Sequence, residues 1–127
     1  MKSCCQVKTT QHLLERKYFL IAIIWTLSIT ALSLISLEGR TPSLAFKNTD
    51  KVVHALFYFF FTFFWSRACK NKKVILIMLL AVLYGIVIEV LQTTITATRE
   101  ADFYDVLANS LGAFLAMLVL KVINKNL

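Results

Sequence analysis

VILIMLLAVLYGIVIEVLQTTI, residues 74–95, holds 22 residues and a single formal charge, Glu89. At 1.5 Å per residue, about 20 helical residues cross the roughly 30 Å hydrocarbon core of a bilayer. Lipid offers no hydrogen-bonding partner to the backbone, so a run of this length and apolarity is expected to close its own bonds as an α-helix. The fold class therefore hangs on whether the rest of the chain repeats the pattern.

It does so three more times. YFLIAIIWTLSITALSLISL (18–37) is long enough to span, and it lacks the small-residue cleavage site of a secretory signal, so it is expected to be retained. VVHALFYFFFTFFWSRA (52–68) is rich in aromatics and is closed by Arg67, Lys70, Lys72 and Lys73. The fourth run extends from Phe103 to about Ile123 and ends in Lys121 and Lys125. The expected fold is all-α: a four-helix transmembrane bundle preceded by a short basic tail, residues 1–17, with the membrane domain occupying 18–127.

Composition agrees. The chain is 58% hydrophobic and only 17% charged, whereas soluble domains sit nearer half apolar and a quarter charged. With 3 Gly and 1 Pro there is little material for a turn-rich β fold. The net charge of +7 lies in short clusters between apolar runs and forms no basic stripe, which argues against a nucleic-acid partner. Cys4, Cys5 and Cys69 show no metal-type spacing and imply no disulfide framework.

The clusters also orient the bundle. Ten Lys and Arg belong to the termini and the 67–73 segment, and four (Arg40, Lys47, Lys51 and Arg99) belong to the other side. The positive-inside rule then places both termini in the cytoplasm.

With that topology the polar residues collect at one depth. Asp50, Lys51, His54 and Tyr58 repeat about every four residues and share one face of the second helix. Glu89 and Gln92 are i, i+3 near the end of the third, and Arg99 lies in the loop that follows. Asp102, Asp105, Asn109 and Gly112 form one stripe at the start of the fourth. Asp102 and Asp105 have an ordinary role open to them as caps of a helix N-terminus. Glu89 is costlier, at about 2.5 to 3.5 kcal/mol for a charge at a helix centre, so it needs either a partner or a function. Two readings stay open: an ion pair that locks helices together, or a polar pocket. His54 with Glu89 would make an acid/base or ligand-binding couple. A metal held by His54, Glu89 and Asp105 is conceivable, but no ligand spacing supports it, and neither a metal nor another cofactor is expected. The 57–64 run, FYFFFTFF, reads as lipid-facing or packing surface apart from Tyr58, and Trp25 and Trp65 as packing or interfacial residues.

Three ordered motifs resemble one known pattern. DKVVHALFY (50–58), GIVIEVLQ (85–92) and READFYDVLANSLG (99–112) are similar to the D-K-x-x-H-x-x-x-Y, G-x-x-x-E-x-x-Q and R-x-x-D-x-x-D-x-x-x-N-x-x-G blocks of the VanZ-like family of small bacterial membrane proteins. The resemblance covers roughly residues 18–123. It implies a multi-pass protein of the bacterial cytoplasmic membrane and cell envelope. The family's namesake is linked to low-level resistance to the glycopeptide antibiotic teicoplanin.

Three functions are consistent with these residues. The first is a binding protein with an extracytoplasmic pocket for a membrane lipid, a lipid-linked cell-wall precursor or a glycopeptide. Lys51 and Arg99 would meet anions there, and Gln92, Asp105 and Asn109 would bond sugar or peptide groups. The second is an enzyme modifying an envelope lipid headgroup, with Glu89 or Asp105 as base, His54 as its partner and Arg99 as anion stabiliser. The third is a structural protein whose polar cluster only locks the helices.

Overall fold

The computed structural model describes residues 2–35, 44–70, 72–95 and 102–125, with side chains from residue 8 in the first helix and from residue 50 in the second. Four α-helices follow in order, α1 (Lys2–Leu34), α2 (Leu44–Ala68), α3 (Val74–Ile95) and α4 (Phe103–Lys125), and no strand occurs among the described residues. The basic segment before residue 18 continues α1 as helix, and α2 starts at Leu44, ahead of its apolar run. The expected end of the first span (36–37), Glu38, Arg40, Arg99, Glu100 and the Cys4, Cys5 and Lys47 side chains lie outside the description.

The apolar residues are distributed inside out. Ile75, Leu76, Leu79, Leu80, Leu83, Ile86, Val87 and Val90 of α3 are all exposed, as are Ile24 and Leu27 of α1 and Leu111, Phe114, Leu115 and Leu118 of α4. Such surfaces would drive aggregation in water and are at home in lipid. By length and composition α1 (from Lys8), α3 and α4 can each cross a membrane. Of the four expected spans, α2 is not among these three. α2 is long enough, but it carries His54, Thr62 and Ser66 into the interior, which costs it apolarity. Its lipid-facing stripe reduces to Val52, Leu56 and Phe60.

α2 sits at the centre of the packing. It touches α1, α3 and α4, while α1 and α4 make no contact among the described residues. Lys51 meets Asp105, His54 meets Asn109 and Ala55 faces Gly112, so α2 and α4 run parallel. α3 is antiparallel to α4, with Glu89 reaching Asp102 and Gly85 facing Asn109.

The aromatic run of α2 serves mainly as the docking surface of α1. Trp25 stands edge-on to Phe57, Phe60 and Phe64 at centroid distances of 5.6–6.0 Å. Its indole N–H donates to the Phe57 carbonyl at 3.0 Å, and the Trp65 indole donates to Thr26 Oγ1 at 3.0 Å. Both tryptophans thus act inside the bundle, where a buried N–H must find an acceptor. Ile29, Tyr58, Phe61, Ala81 and Ala113 form the core beneath.

Candidate functional site

The polar residues of α2, α3 and α4 meet at the end where α2 and α4 begin. His54 (7% exposed), Glu89 (6%), Gln92 (1%), Asp105 (5%) and Asn109 (2%) are all buried there. In a bundle whose outer surface is apolar, this is a concentrated investment of polarity, and each group must be satisfied.

Asp102 is the N-cap of α4. Its Oδ1 accepts the Tyr104 N–H at 2.9 Å, as a cap residue does two positions into its helix. The Asp102 N–H in turn donates to Glu89 Oε1 at 2.9 Å. Glu89 therefore clamps the start of α4 from α3, and both acids sit where the α4 dipole favours negative charge. One residue caps the helix, and the other holds the cap.

Lys51 joins α2 to the same point. Its Nζ donates to Asp102 Oδ2 at 3.2 Å and lies 3.7 Å from Asp105 Oδ1. Desolvation lowers its pKa, but the hydrogen bond and charge of Asp102, with the charge of Asp105, outweigh this and hold the ammonium above its ordinary 10.5. Lys51 also lies over the Tyr104 ring, 5.4 Å from its centroid.

His54 is positioned by α4. Its Nδ1 is 3.1 Å from Asn109 Oδ1. A carbonyl oxygen only accepts, so the ring donates from Nδ1, and in the neutral imidazole Nε2 keeps its lone pair. That nitrogen is 3.8 Å from Asp50 Oδ1. Asp50, His54 and Asp105 each bring one ligand-type atom to within 4.8 Å of the others. Such a group can hold a cation, an ammonium or a hydroxyl. Among the described residues these three could take a metal, with Asp50 rather than Glu89 beside His54 and Asp105.

The remaining expected residues fall around this core. Gln92 turns to α1, its amide donating to the Ser33 carbonyl at 2.8 Å. Tyr58 lies deeper, 1% exposed, with its ring 6.3 Å from Tyr84. Arg99 is outside the described residues.

The structure adds residues that the motif spacing did not single out. Thr62 and Ser66 continue the spacing of four from His54 and Tyr58, both buried, and the hydroxyls of Tyr58, Thr62 and Ser66 have no hydrogen-bond partner among the described residues. The period of four was visible in the sequence, but Thr62 and Ser66 were masked by the phenylalanines around them. Tyr84 and Thr30 share a hydrogen bond that links α3 to α1. The two motif glycines have a packing reason. Gly112 lets α4 touch the α2 backbone at Ala55, and Gly85 makes room for Asn109 and Tyr58.

The VanZ/LLP1 family model matches residues 6–124, nearly the whole chain. No curated protein and no solved structure matches it. The chain belongs to the VanZ/LLP1 family, and its three polar motifs build one end of the bundle.

Proposed function

We propose that this VanZ/LLP1 protein spans the bacterial cytoplasmic membrane with its polar end on the extracytoplasmic side, where it binds the headgroup of an envelope lipid, a lipid-linked precursor or a glycopeptide. The carrying observation is the cluster of Asp50, His54 and Asp105, whose ligand-type atoms lie within 4.8 Å of one another, with the His54 ring held at Nδ1 by Asn109. The ratio of basic residues on the two sides supports the orientation.

The donor and acceptor set narrows the ligand. A hydroxyl-rich or amine-bearing group, such as a sugar or an amino sugar, would find acceptors at Asp50, Asp105 and Nε2 of His54. Both lipid-linked cell-wall precursors and glycopeptides carry such groups, so a teicoplanin-resistance role fits this chemistry.

A second reading has its own support. The Glu89 to Asp102 N–H bond is a helix-locking contact that any stable bundle could use. On this reading Glu89 and Asp102 are structural, and only Asp50, His54 and Asp105 remain for a ligand.

One set of variants tests the proposal. His54→Asn and Asp50→Asn are expressed in a bacterial host lacking its own copy, and membrane abundance, envelope-lipid composition and teicoplanin sensitivity are measured. Normal abundance with altered sensitivity and unchanged lipids is the expected result. An altered lipid species would instead mark an enzyme, and loss of abundance would mark a purely structural cluster. Unchanged behaviour on every measure would end the site hypothesis.

A further inference from the structure

The opposite end of the bundle carries a second, differently charged feature. An open groove of about 520 Å³ lies between the start of α3 and the end of α4, walled by Lys72, Lys73, Lys121 and Lys125 with Ile75 and Leu76 at its side. None of the four lysines makes an ion pair among the described residues. Glu15 is the acidic residue described at this end, and Lys70 already holds it at 3.3 Å. Among the described residues the groove is therefore a concentration of positive charge with no acidic partner.

Backbone polarity adds to it. The first i→i−4 bond of α3 runs from the Ile77 N–H to the Lys73 carbonyl at 2.9 Å, so the amides of residues 74–76 precede the helical ladder. No acidic residue occupies the first turn of α3. A helix N-terminus of this kind attracts anions, and here it opens into a groove lined by four lysines.

The apolar side tells the source of the anion. Ile75 and Leu76 are about half exposed, and the exposed strip continues along the helices as Leu79, Leu80 and Val122. A ligand seated in the groove would have its charge among the lysines and its body against a lipid-facing wall. We propose that this groove binds the phosphate of an anionic phospholipid whose acyl chains lie along α3 and α4. Basic pockets between membrane helices on the cytoplasmic side have this chemistry. The site lies at the opposite end of the bundle from the Asp50–His54–Asp105 cluster and is independent of it.

The lysines could instead serve only to orient the chain, and the test separates the two roles. The full-length protein is purified in a neutral detergent, where orientation no longer matters, and retention of phosphatidylglycerol and phosphatidylcholine is compared by native mass spectrometry. The chain is expected to prefer phosphatidylglycerol. The preference should fall on the order of tenfold or more in Lys73→Gln/Lys121→Gln/Lys125→Gln. It should survive within about twofold in Lys8→Gln/Arg16→Gln/Lys17→Gln, which removes as much charge from the same end outside the groove. Lys73→Arg/Lys121→Arg/Lys125→Arg should keep the preference, separating lost charge from lost fold. Equal loss in both Gln variants, or no preference in the parent protein, would overturn the proposal. Displacement of the lipid by an equal concentration of inorganic phosphate would assign the groove to free phosphate and overturn the lipid.

Discussion

A methyl group on Gly112 would stand 2.0 Å from the carbonyl oxygen of Ala55 and 2.7 Å from its carbonyl carbon. Both atoms belong to the α2 backbone, so no side-chain rotation relieves the clash, and α2 and α4 would have to part. Their contact holds Lys51 against Asp105 and His54 against Asn109. Gly112→Ala is therefore expected to lower stability by about 3 kcal/mol, the upper end for an overpacked core. Gly85→Ala should cost nearer 1 kcal/mol, since its added methyl meets side-chain atoms, Asn109 Nδ2 at 3.1 Å and Tyr58 Cε1 at 3.2 Å. Unfolding midpoints in detergent measure the difference, and equal midpoints would contradict the close approach.

Glu89 separates structural from functional roles because its bond to Asp102 needs an acceptor, not a charge. A glutamine can present the same oxygen to the Asp102 N–H. Glu89→Gln should keep nearly all of the thermal stability. Glu89→Ala, which strands that N–H, should cost about 1 kcal/mol, the size of a lost helix cap. If glutamine destabilises as much as alanine, the carboxylate charge matters in its own right. The clamp reading would then have to be replaced by an ion pair.

The cap on α4 yields a similar contrast. Asp102→Asn preserves an oxygen for the Tyr104 N–H but removes the charge facing Lys51. Asp102→Ala removes both. Asparagine ranks with aspartate as a cap, so alanine should lower the midpoint by about 1 kcal/mol more than asparagine does. Equal losses would show that the Lys51 contact, rather than the cap, carries the effect.

These contrasts show what the sequence made legible. The borders of α3 could be read because an apolar run with Glu89 as its one charge stops at Lys73 on one side and at a threonine pair on the other. The gathering of Asp50, His54, Glu89, Asp105 and Asn109 at one end could be read from spacing and from the alternation of spans. Partner choice could not. Spacing says which face a residue occupies, whereas His54 meeting Asn109 depends on the register of α2 against α4, which the Gly112–Ala55 contact helps set. The phenylalanines of α2 read as apolar, but their use as a seat for Trp25 depends on where α1 docks. Thr62 and Ser66 are short enough to hide in an aromatic run, and only the period of four from His54 points to them.

Lys51 predicts a specific pH response. Its folded-state pKa is raised above 10.5, so its contribution is fully present below that value and is lost as pH rises through the higher folded value. Stability should therefore show no Lys51-dependent change between about pH 7 and 9. Above about 10.5 the parent protein should lose a contribution that Lys51→Met never had, so their midpoints converge. A constant gap between the two across the alkaline range would mean that the ammonium is not what Asp102 and Asp105 recognise.

The orientation of the bundle rests on Lys and Arg counts, and Cys69 offers a direct check. Its thiol is exposed at the turn after α2, beside Lys70 at the lysine-rich end, so a maleimide that reaches that side should react. In a Cys4→Ser/Cys5→Ser background Cys69 is the sole cysteine. A membrane-impermeant maleimide should leave it unmodified in intact cells and label it after permeabilisation. That outcome would put the lysine groove against the cytoplasmic leaflet and the Asp50–His54–Asp105 cluster outside. Labelling in intact cells would invert both. The acidic cluster would then face the cytoplasm, where a glycopeptide does not reach it, and the envelope-ligand reading would fall with the topology.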